Sequence, residues 1–107
     1  MAGRLERGEV RFYRFLSPDK ERPVLILTRR SALGYLGRVT VAPITSTIRE
    51  IPSEVRLTQA DGMPRDCAVN LDHVQTVTRA RVGPLIATVS PEKMSEVRAA
   101  LLFALGF

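Results

Sequence analysis

The chain has 107 residues, 45% of them hydrophobic and 25% charged, which suits one folded domain spanning residues 1–107 and excludes a disordered polypeptide. One cysteine, Cys67, and one histidine, His73, exclude an internal disulfide, a cysteine-rich zinc site and a paired-histidine centre within one chain. Sixteen Lys and Arg against eleven Asp and Glu give a net charge of +5, almost all of the basic residues being arginine. Arginine presents a planar fork of donors that matches phosphate, so the charge points to nucleic acid or an acidic protein, although a solvated basic surface accounts for it equally well.

The first seven residues hold no apolar segment of the kind that a signal peptide needs. No run approaches the roughly 18 apolar residues of a membrane span. A cytoplasmic protein with no membrane partner is the expectation.

In chain order, Arg7-Gly8-Glu9 reads as a turn and residues 10–15 as a strand carrying Phe12, Tyr13 and Phe15. Residues 16–22 are polar and contain Pro18, which predicts a loop. Residues 24–28 are almost all apolar β-formers and predict a central strand buried on both faces. Residues 29–38, with Gly34 and Gly37, are a long connection with room for a helical turn. Residues 39–45 are the next strand, in which Pro43 implies a bulge or an edge. After a polar loop at 46–52, residues 54–58 alternate charged and apolar side chains as a half-exposed strand does.

Ala60-Asp61-Gly62-Met63-Pro64 is a turn. Residues 67–71 and 74–77 are short strands, or one strand bent near Asp72, and residues 79–84 form another connection before a last strand at 85–89. The tail is a helix. Ser90 is placed to cap it, Pro91 suits its first position and Gly106 its end, while Met94, Val97, Leu101, Ala104 and Leu105 share one apolar face. The whole predicts a mainly β fold with a C-terminal helix, a small, strongly bent sheet or barrel.

If the strands at 22–28 and 39–47 pair antiparallel, as neighbours usually do, the start of one lies beside the end of the other. Arg22 then meets Thr45, Ser46 and Thr47, a permanent cation against a cluster of hydroxyls, and such a pair can hold a phosphate. Arg22 as a solvated strand entry and the hydroxyl run as a local turn are the plainer alternatives.

These segments in this order resemble the MazF/PemK family of endoribonuclease toxins. The matching pieces are Arg7-Gly8-Glu9-Val10, Arg22-Pro23-Val24-Leu25-Ile26-Leu27, Val41-Ala42-Pro43-Ile44-Thr45-Ser46, Val69-Asn70-Leu71-Asp72 with Gln75-Thr76, and the helix from Ser90-Pro91 to Leu105-Gly106. Each motif alone is common, but their ordered combination covers nearly the whole chain. The resemblance implies a small SH3-like barrel, a homodimer, and metal-independent, cofactor-free cleavage of single-stranded RNA to 2′,3′-cyclic phosphate and 5′-hydroxyl ends. It also implies a cognate antitoxin with an acidic tail.

Carried over residue by residue, the resemblance makes Arg22 and Thr45 catalytic. Arg22 stabilises the charge of the phosphorane and Thr45 positions the phosphate. Ser46, Thr47, Arg49, Asn70 and Asp72 would contact RNA, with Asp72 either orienting Arg22 or accepting from a base edge, the plainer and equally good alternative being that it caps a turn before His73. Some family members carry an arginine at the position of Asn70 that works as acid or base, and asparagine cannot replace it. Most relatives also have a longer first loop, and Ser17, Asp19 and Lys20 are its only polar substitutes here. His73 matches no catalytic position of the family and reads as structural or rim-exposed; Cys67 reads as a buried filler. Tyr13 and Phe15 are more readily core than stacking residues. The competing functions are a protein-binding toxin of the gyrase-poison type, acting through Phe103 and Phe107, and a non-catalytic RNA-binding barrel.

Overall fold

Runs of β-branched and apolar residues form seven strands among the described residues, which in this computed structural model are 4–15 and 20–107. They are β1 (Glu9–Arg14), β2 (Glu21–Ile26), β3 (Arg38–Thr45), β4 (Glu54–Leu57), β5 (Cys67–Asn70), β6 (Gln75–Thr78) and β7 (Val82–Thr88). A one-turn helix, α1 (Arg30–Leu33), bridges β2 and β3, and α2 (Pro91–Leu105) ends the chain. The sheet runs β4-β5-β3-β2-β1-β7, and β6 pairs with the other end of β3. Every pairing is antiparallel, and the strands curl around a core capped by α2, which bears out the bent sheet with a terminal helix.

β2 lies at the centre of this sheet because it can bury both faces. Leu25 enters the cluster of Val10, Ile44, Leu57, Val69, Leu71 and Val97, on which α2 packs. Its neighbours Val24 and Ile26 point the other way, into the cluster of Tyr13, Val39, Val41 and Val82. All three are fully buried. Burying one such side chain contributes about 1.5–3 kcal/mol, enough to fix a register whose one-residue slip would swap the two faces.

Three expectations need correction. β3 is neither an edge strand nor bulged at Pro43. It pairs with β6 through Arg38–Val41 and with β5 from Ile44 onward, and Pro43 lies in the gap between those two partners, where no ladder hydrogen bond is required of it. Gly83-Pro84 belongs to β7 and not to a connection, and the fold tolerates the proline because β7 is an edge strand with register shifts against β1. Leu105 does not complete the apolar face of α2. Val97 and Ala100 are its buried residues, while Leu105 is 61% exposed.

The ends of α2 form as its residues dictate. Ser90 Oγ accepts the Lys93 N–H at 3.1 Å, and Gly106 takes the left-handed conformation (φ 81°) that closes a helix. The bend near Asp72 is a single 3-10 turn, Leu71–His73, between β5 and β6.

Candidate active site

The register of β2 on β3 pairs Val24 with Pro43, Leu25 with Ala42 and Ile26 with Val41. Continued by two places, it sets Arg22 opposite Thr45. The Leu27 N–H bonds the Thr40 carbonyl at 2.9 Å, so the odd residues of β2 occupy the hydrogen-bonded rungs. An Arg22–Thr45 rung on that register would be of the other kind, in which facing side chains approach more closely. Both residues line one open groove of about 620 Å³.

The Arg22 side chain is exposed and makes no hydrogen bond or ion pair among the described residues, so its donor fork is available to a ligand. Thr45 is half-buried, and its Oγ1 accepts the Thr47 N–H at 3.0 Å. That is the local hydroxyl–backbone bond offered as the plainer reading. It occupies one lone pair and leaves the hydroxyl proton of Thr45 to be donated into the groove. Ser46 lines the groove too, whereas Thr47 is exposed and lies off it.

Arg49 and Arg65 bring the arginines on the groove to three, and no Asp or Glu lines it among the described residues. A concave surface with one sign of charge concentrates anions. Arg65 was not foreseen from sequence, where residues 60–64 read only as a turn. Phe12 was also missed. It pairs across strands with Pro23 and lines the groove with Pro23 and Pro43. Period-two alternation held the signal, because Tyr13 is buried and packs edge-on against Phe15 at 4.8 Å, so Phe12 must face the other side.

The far wall comes from β5 and the turn after it. Asn70 is buried; its Oδ1 accepts the Asp72 N–H at 2.9 Å, and its Nδ2 lies 3.4 Å from His73 Nδ1. His73 is exposed on the groove, at the rim as expected. Asp72 does not orient Arg22. Its carboxylate accepts the Ser53 hydroxyl at 2.6 Å, behind the groove wall, because the Asn70-capped turn faces it toward the loop before β4. Lys20 is exposed and off the groove, its carbonyl closing the first loop onto the Phe15 N–H at 3.1 Å. Ser17 and Asp19 lie outside the described residues. Cys67 is buried at the groove floor, and that burial, with Asp66 and Asp61 nearby, pushes its thiol pKa up. No cluster of His, Cys, Asp and Glu suited to a metal ion occurs among the described residues.

The small curled barrel thus carries on one side a groove with arginines, hydroxyls and apolar side chains, the charge and donors that a polyanion would meet. A family model for the PemK-like, MazF-like toxin of type II toxin–antitoxin systems matches residues 6–105. The chain belongs to that family. The probable endoribonuclease MazF2 of Mycobacterium tuberculosis is 37% identical over 93 residues, which cover 86% of this chain and 89% of the relative. The probable endoribonuclease MazF5 of the same organism is 38% identical over 96 residues, covering 89% and 87%. Among solved structures, the Mycobacterium tuberculosis toxin MazF-mt6 superposes with a TM-score of 0.85 at 31% identity, over 92% of this chain and 97% of that one. A mycobacterial endoribonuclease in complex with its cognate antitoxin reaches 0.83 at 27% identity, over 94% of each chain.

Proposed function

We propose that this protein is a ribosome-independent endoribonuclease toxin of the cytoplasm that cuts single-stranded RNA, stops translation and growth, and is neutralised by an acidic antitoxin. The observation that carries the reading is that Arg22, whose side chain is uncommitted, and Thr45 line one groove with Arg49 and Arg65, a groove free of carboxylates among the described residues. In the reaction the 2′-oxygen loses its proton and bonds to phosphorus, the bond from phosphorus to the 5′-oxygen breaks, and the 5′-oxygen gains a proton. The products are a 2′,3′-cyclic phosphate and a 5′-hydroxyl. Arg22 meets the negative charge that grows on the non-bridging oxygens with its planar fork of donors. Thr45 donates to the same phosphate. Asn70 supplies an amide to the groove wall, and Ser46, Arg49 and Arg65 hold the flanking strand.

A homodimer is part of the same proposal. Leu36, Phe103, Leu105 and Phe107 are exposed. Beside α2, a cleft of about 770 Å³ with Leu27, Leu36, Val74, Leu101 and Leu105 carries an apolar surface that a second copy would cover. The exposure of Phe103 and Phe107 is also the one observation in favour of a protein-binding toxin, a reading that leaves Arg22 and Thr45 without a use.

The test is a long RNA incubated with purified protein and EDTA, followed by mapping of the cut ends. Discrete cuts ending in cyclic phosphate and 5′-hydroxyl support the proposal. Tight binding with no cleavage would make the protein a non-catalytic RNA-binding barrel.

A further inference from the structure

Glu54, at the start of β4, is outside the groove and was read from sequence only as one residue of an alternating strand. Its side chain is 3% exposed. Its Oε1 accepts the backbone N–H of Arg49 at 2.9 Å. Its Oε2 is buried with no hydrogen-bond partner and lies 3.5 Å from Nη1 of Arg49. A buried carboxylate oxygen left without a hydrogen bond is costly, so its retention asks for a reason. The loop that it holds is itself strained, because Glu50 has φ 55°, a conformation unfavourable for a side chain with a Cβ. β4 is also in register with the groove wall, Glu54 standing opposite Asn70.

We propose that Glu54 is a positioning residue that acts through Arg49. One carboxylate oxygen fixes the backbone of the 46–53 loop. The other attracts the guanidinium without taking its donors, since 3.5 Å with no hydrogen bond is an ion pair only. Arg49 is thereby held on the groove with its side chain 56% exposed, its donors free for an RNA phosphate and much of its ordering cost already met. This inference rests on the proposed RNA-cleaving function.

A double-mutant cycle tests it, with kinetics on a single-stranded RNA and thermal melts as the check on folding. Glu54→Gln and Arg49→Ala should each raise KM by about 3- to 10-fold with little change in kcat, and each should lower the salt slope of RNA binding by about 0.7, the loss of one phosphate contact. In the Arg49→Ala background, Glu54→Gln should add nothing beyond about 2-fold. Equal costs in both backgrounds, or an unchanged salt slope, would show a purely structural glutamate and overturn the proposal. Should Glu54→Gln fail to fold, amide exchange of the RNA-free wild type decides, since an unprotected Arg49 amide contradicts the anchoring bond and a protected one supports it. A wild type that neither binds nor cuts RNA overturns the function and this inference together, whereas a wild type that cuts RNA with additive variants overturns the positioning role alone.

Discussion

Replacing Arg22 by alanine separates catalysis from folding with unusual clarity. The side chain is exposed, makes no hydrogen bond or ion pair among the described residues, and stands where β2 emerges from the core at Val24. Its loss should change stability by no more than about 0.5 kcal/mol, the usual range for a surface position without partners. The effect on the reaction should be far larger. Losing a preorganised donor to an oxyanion costs on the order of 100- to 1,000-fold in rate, or about 2.7–4 kcal/mol, and a charged donor belongs at the upper end. Arg22→Lys should recover only part of that rate, because an ammonium keeps the charge but loses the planar fork. Single-turnover cleavage of a single-stranded oligonucleotide in EDTA measures the rate, and a thermal melt measures the fold. Undiminished cutting by Arg22→Ala, or a melt lowered by many degrees, would refute the reasoning.

Asp72→Ala should keep most of the cleavage rate while lowering stability by about 1 kcal/mol, because its carboxylate bonds Ser53 and not Arg22; a loss comparable to that of Arg22→Ala would return Asp72 to the site. Gly62→Ala should destabilise by more than about 1 kcal/mol in a denaturant melt, since φ is +95° and the added Cβ would lie 3.1 Å from the Ala87 Cβ. Cys67 should react slowly with thiol reagents in the native state, because burial raises its pKa and disfavours the thiolate. The sign follows from that direction: its contribution to stability is complete below the pKa of the unfolded thiol, near 8.5, and is lost as pH rises through the higher folded value. Leu105→Glu should shift the proposed homodimer toward monomers in sedimentation, and an unchanged oligomer would move the proposed interface elsewhere.

What could be read from the sequence follows from how local each signal is. The Ser90 cap, Pro91 and Gly106 act within one turn of α2, so that helix was legible to its ends. Val24 to Ile26 carry their double burial in composition alone. That Arg22 and Thr45 share one groove needed only that two successive strands pair antiparallel. Pro43 misled because its meaning depends on β5 and β6, which follow it in the chain and leave a gap opposite it. The same holds for Asp72, whose partner Ser53 lies nineteen residues earlier, while Leu105 is exposed at the last position of α2. Arg65 reaches the groove, and Glu54 comes to stand opposite Asn70, only through the pairing of β4 with β5, a contact that no motif announces.

The central claim is that the groove holds one RNA phosphate between Arg22 and Thr45 while the neighbouring 2′-hydroxyl attacks it. An oligonucleotide carrying a single 2′-deoxy substitution on the 5′ side of the mapped cut tests this directly. The account predicts that the substituted strand binds about as well as the parent and is not cut at that position. Cleavage there at the parent rate would contradict it.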